Sequence, residues 1–73
     1  MKEIRIRDAF IKLGQALKLA GVVDTGAEAK ETILQGEVSV NGEVCLQRGK
    51  KCYDGDVITA GDRQFTVRSS DVH

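Results

Sequence analysis

The chain has 73 residues, is 41% hydrophobic and 30% charged, and balances 11 basic against 11 acidic residues. A chain this short holds one domain with a thin core, burying only about 60% of the surface that its unfolded form exposes. The charge density and the lack of any apolar run near ~20 residues exclude a helical membrane protein. The charged start "MKEIRIRD", with no apolar stretch behind it, leads to the expectation of a cytoplasmic protein.

"EIRIR" alternates apolar and charged residues, which predicts a short half-buried strand with Ile4 and Ile6 on one side. Phe10 and Ile11 anchor the chain ahead of a helix, "KLGQALKLA", whose Leu13, Ala16, Leu17 and Ala20 fall on one stripe. Lys18 points away from that stripe, and Gly21 ends the helix. A start further back, with Asp8 as N-cap, is the second choice. Thr25 opens a second helix. Thr25 and Glu28 have the spacing of a capping box, in which each side chain satisfies the other's free backbone N–H. Ala29, Ile33 and Leu34 form the apolar arc of this helix, with Glu28 and Glu31 opposite. Lys30 falls inside the arc, its stem over apolar surface and its head at the rim. Gly36 is the C-cap.

The period then changes to two. "EVSV" is a strand with Val38 and Val40 on one face, "NG" at 41–42 is a strong hairpin signal, and "EVCL" is the return strand. "QRGKKCY" reads as a basic loop, "DG" at 54–55 as a turn and "DVITA" as a strand. "GD" at 61–62 turns the chain into "QFTVR", with Phe65 and Val67 inward. The reading is an α+β domain over residues 1–68, with two short helices packed on a small, mostly antiparallel sheet of four to five strands. Residues 69–73 read as a frayed tail.

Little here supports catalysis. The only histidine, His73, is the last residue, and Cys45 and Cys52 have no histidine partner in an ordered region. The two thiols read as reduced small residues, and no C-x-x-C pair or second cluster makes a metal site. "DGD" at 54–56 reads as a surface turn, since a calcium site needs more ligands. No glycine-rich phosphate loop occurs. The expectation is a non-enzyme without cofactor.

Binding is the remaining class. A net charge of zero argues against a nucleic-acid partner, but the charges are unevenly placed. Residues 1–18 carry Lys2, Arg5, Arg7, Lys12 and Lys18 against Glu3 and Asp8, and Arg48, Lys50 and Lys51 form a run with no acid. A polyanion docking on one face senses that local field rather than the sum. Tyr53 can stack on a base, but its ring reads first as packed beside the sheet. Without an aromatic pair in the sequence, recognition by shape and phosphate contact is the expectation.

The ordered set "LK", Thr-Gly-x-x-Ala-Lys, Ile-x-x-Gly-x-Val-x-Val-Asn-Gly and Gly-Asp-x-Ile, running from about Leu13 to Ile58, resembles the RNA-binding domain named after ribosomal small-subunit protein S-four, the αL motif. Its small stand-alone form is the bacterial YaaA/YbcJ type. Where many family members carry an arginine after the capping residue, this chain has Gly26. The resemblance implies a basic face of two helices and a hairpin turn that docks structured RNA, ribosomal RNA above all, in ribosome assembly or translation. It places Lys18, Thr25, Gly26, Lys30, Asn41, Arg48, Lys50 and Lys51 on that face, in a protein expected to be a monomer, with ribosomal proteins as further partners. Two alternatives stay open. One is a protein-interaction module on the ribosome that uses the edge strand "EVCL". The other is a redox switch whose Cys45 and Cys52 thiols have their pKa values lowered by the basic loop.

Overall fold

The alternating segment at the start forms strand β1, Lys2–Ile6, with Ile4 buried and charged neighbours outward. The computed structural model describes residues 2–71. After β1 come β2 (Phe10–Lys12), helix α1 (Leu13–Leu19), helix α2 (Gly26–Leu34), β3 (Val38–Val40), β4 (Glu43–Val44), β5 (Lys51–Tyr53), β6 (Val57–Ala60) and β7 (Arg63–Ser69). Five strands make one sheet in the order β1-β7-β6-β3-β4. β1 lies parallel to β7, with Ile4 opposite Val67, and the other pairings are antiparallel. The expected α+β architecture is present, with one addition. β2 and β5 pair as a separate antiparallel ribbon, with Ile11 opposite Cys52. The last three residues of the expected basic loop, Lys51–Tyr53, are therefore strand.

The core is a single cluster. Leu13 and Leu17 of α1, Ile33 of α2, Val38 of β3, Ile58 of β6, and Phe65 and Val67 of β7 are fully buried, and Cys52 joins them from the ribbon. Each large apolar side chain so buried contributes on the order of 1.5–3 kcal/mol relative to exposure. α1 packs on α2, and both helices bury alanines, Ala16 and Ala29, in the same cluster. The predicted arc of α2 is narrower than expected. Only Ala29 and Ile33, four residues apart, are buried, and Leu34 is 59% exposed. The helix meets the core along one line, so a residue 100° round from Ile33 faces out. Lys30 is exposed for the same reason.

The C-terminal end of α1 is held by distant residues. Lys2 donates from its ammonium to the Ala20 carbonyl at 2.6 Å, and Arg63 donates to the Gly21 carbonyl at 3.1 Å. Cations here satisfy orphan carbonyls and complement the helix dipole. The turn after β3 has φ 53° at Asn41 and 87° at Gly42, both left-handed, as a tight two-residue hairpin requires. β7 runs on through Ser69, which pairs with Ile6, and just past its end the Ser70 backbone donates to the Ile6 carbonyl. Val72 and His73 lie outside the described residues.

Candidate nucleic-acid interface

The N-terminus of α1 has no side-chain cap. Its first two N–H groups are taken by the basic segment instead. Leu13 donates to the Lys50 carbonyl at 2.9 Å and Gly14 to the Arg48 carbonyl at 3.0 Å. Residues 48–50 are thereby fastened across the start of the helix. Gly14 allows the approach, since a Cβ there would lie 2.6 Å from Arg48 Cγ. A glycine inside a short helix costs stability relative to alanine, and here it makes room for the Arg48 stem.

This docking creates a shallow depression of about 330 Å³ lined by Lys12, Gly14, Gln15, Lys18, Gly26, Arg48 and Gly49. Three cations line it and no carboxylate does. Lys18 comes from the last turn of α1 and Gly26 from the first residue of α2, so the depression bridges the two helices. Thr25 caps α2 beside it, with its Oγ1 accepting from the Glu28 N–H at 3.1 Å. The capping box is half as expected, because the Glu28 carboxylate accepts from the Thr25 hydroxyl at 3.5 Å.

Of the eight expected residues, Lys18, Gly26 and Arg48 meet in this depression, with Thr25 adjoining. Lys30 lies one turn beyond Gly26 on the exposed side of α2. Lys50 lines a different depression with Glu43, Val44, Cys45 and Leu46. Lys51 stands in the ribbon opposite Lys12, its ammonium 4.9 Å above the centre of the Phe10 ring. Asn41 is committed within the fold: its amide nitrogen donates to Asp56 Oδ1 at 3.0 Å and its oxygen accepts from the Val57 N–H at 2.9 Å. Lys12, Gln15 and Gly14 join this lining from outside the eight residues that the resemblance implies. A glycine within a helical stripe is the one signal that marks a close approach there.

The aspartates of "DGD" build turns. Asp56 accepts from the Tyr53 backbone at 2.7 Å and Asp54 from the Ser69 backbone at 2.9 Å. Among the described residues no cluster of three metal-ligating side chains occurs, and no helix is long and apolar enough to cross a membrane. Cys45 and Cys52 are free thiols. A redox switch needs a lowered thiol pKa, and burial pushes the Cys52 thiol up to about 11, helped by the charge of Asp56. That requirement fails at Cys52. The fold also brings together two rings that the sequence does not place side by side. Phe10 and Tyr53, far apart in sequence, face each other across the ribbon with ring centroids 5.9 Å apart, tilted by 49°.

The family profile of the S4 domain matches residues 4–68. The chain belongs to the S4 domain family. It is 47% identical over 55 residues to the probable ribosome maturation protein RlbA of Bacillus subtilis, an alignment that covers 75% of this chain and 78% of that protein. It is also 35% identical over 63 residues to the tyrosine–tRNA ligase of Burkholderia lata. That match takes in 85% of this chain but 15% of the ligase, so the S4 domain is the shared part.

Proposed function

We propose that this S4 domain is a non-catalytic, cytoplasmic RNA-binding protein that docks structured RNA, ribosomal RNA foremost, during ribosome maturation. The observation that carries the reading is the depression where Lys12, Lys18 and Arg48 converge on the start of α2 with no acid among its lining residues. A helix N-terminus adds the positive end of its dipole to those charges, which suits a phosphate group. Lys30, one turn along α2, extends the same field. The name of the Bacillus relative supports a ribosomal context for the RNA.

In this mechanism the protein acts as a monomer and reads the bend and spacing of a folded backbone. Lys12, Lys18, Lys30 and Arg48 neutralise phosphates and release counterions. Thr25 and Gly14 set where those charges stand. The test is fluorescence anisotropy with a structured ribosomal-RNA fragment and a matched DNA duplex at low and moderate salt. Tighter RNA binding with a steep salt slope is expected, each phosphate contributing about 0.7–0.9 to the slope. Equal binding of RNA and DNA, or none at low salt, would refute the reading.

A protein-binding use of the sheet edge is the second reading. β4 is the last strand of its sheet, and Val44 within it and Leu46 just past it are 62% and 55% exposed. Substituting both with lysine would abolish RNA-independent capture of a ribosomal protein and leave RNA affinity intact.

A further inference from the structure

We propose that the solvent face of the β2–β5 ribbon is a second RNA contact, where Tyr53 stacks on one unpaired base while Lys12 and Lys51, on the adjoining rung, hold the backbone phosphate beside it. The inference rests on the RNA-binding reading above and names a feature of the RNA that the depression alone would not select.

Alternation along the two strands separates the ribbon's faces. Ile11 and Cys52, opposite each other, turn inward, with Cys52 fully buried and Ile11 packed on the core. Phe10 with Tyr53, and Lys12 with Lys51, are therefore paired on the other face. That face carries two rings and two ammonium groups. The two rings do different things. The Lys51 ammonium lies over the Phe10 ring, which backs Tyr53 from the side. Tyr53 is 49% exposed although it is the largest aromatic side chain in the molecule. The acids nearest in sequence, Asp54 and Asp56, are occupied by backbone donors. An open ring with two cations on the adjoining rung fits a nucleobase and a neighbouring phosphate better than a carbohydrate or an acidic peptide. The stack supplies sequence-tolerant affinity and the cations supply the polyanion contact.

Continuity with the first site is the second support. Lys12 belongs to the ribbon and also lines the depression with Lys18 and Arg48. A backbone seated in the depression reaches the ribbon by way of Lys12. The RNA that satisfies both places has a paired, bent segment adjoining one unpaired nucleotide. One base is the limit, since only one ring is open.

The chain reports on this contact directly, because Tyr53 is its sole tyrosine and it has no tryptophan. The probes are a fully paired RNA hairpin and the same hairpin carrying one unpaired adenosine in its stem. The bulged hairpin should bind about tenfold more tightly, the scale of one base–aromatic stack, and should quench tyrosine emission where the paired hairpin does not. Tyr53→Ala should reduce its affinity to that of the paired hairpin, while Tyr53→Phe keeps the preference. Arg48→Ala should weaken both hairpins alike. If wild-type protein binds the two hairpins equally and emission is unquenched, the ribbon contact is wrong and the depression stands. If it binds neither, the RNA reading fails and the ribbon contact with it.

Discussion

Gly14 and Arg48 are fitted to each other at the start of α1. The Gly14 N–H donates to the Arg48 carbonyl, and the missing side chain of Gly14 is replaced by the aliphatic stem of Arg48. One residue supplies a vacancy and the other fills it while carrying a charge to the edge of the depression. Gly14→Ala would ordinarily stabilise a helix by about 1 kcal/mol. Here the new methyl must displace Arg48. RNA affinity should fall as far as in Arg48→Ala, and the double variant should be no weaker than either single one. Additive losses by anisotropy would show that Gly14 does not position Arg48.

Asn41 should behave as a turn residue. Its amide makes two hydrogen bonds across the turn to Asp56 and Val57, and its φ is left-handed. Asn41→Gly keeps the backbone conformation and loses the bonds, at a cost of about 1 kcal/mol. Asn41→Ala also meets the left-handed φ and should cost about 2 kcal/mol in chemical denaturation. RNA affinity of the folded variants should stay within twofold of wild type, and a tenfold loss would return Asn41 to the interface.

Lys12 and Lys50 sit in the same basic stretch of structure but line different depressions, and Lys50 shares its own with Glu43. Lys12→Ala should lower the salt slope of RNA binding by about one phosphate's worth. Lys50→Ala should change it less. Equal effects would mean that the charges act as one diffuse field.

Cys52 links the fold to alkaline pH. Its pKa is raised to about 11 in the folded state, so the folded chain holds the proton where the unfolded chain releases it. The contribution is complete below the unfolded value near 9 and is lost as pH rises towards 11. Unfolding free energy should drop by on the order of 2 kcal/mol over that window. Cys52→Val should flatten the drop. In native protein at neutral pH, a thiol reagent should label Cys45 well before Cys52, because only Cys45 is even partly exposed.

Much of the architecture is legible in residue order because it depends on local chemistry. Thr25 before Glu28, Asn41-Gly42 between valine strands, and the alternation around Ile4 each encode their own geometry. The ribbon is different. "FIK" and "KCY" are three residues each and make no pattern alone, and their pairing depends on α1 being anchored by the Arg48 and Lys50 carbonyls. The same fact hid the aromatic pair and the place of Lys12 in the site. Leu34 departs from the helical wheel because a wheel gives the direction of a side chain but not the width of the surface that the helix meets.

The parallel pairing of β1 with β7 bears on how the molecule assembles. Lys2 lies opposite Phe65, so almost the whole chain must be in place before β1 has a neighbour. The β3–β4 and β6–β7 hairpins close over two-residue turns and need only neighbouring residues to pair. β1, made before its partner β7, is thus the strand that docks last, since the closure of so long a loop is not rewarded until the hairpins exist to receive it. Substitutions at Ile4 should therefore speed unfolding far more than they slow folding. For a protein made on ribosomes one residue at a time, this strand waits unpaired until β7 has been made.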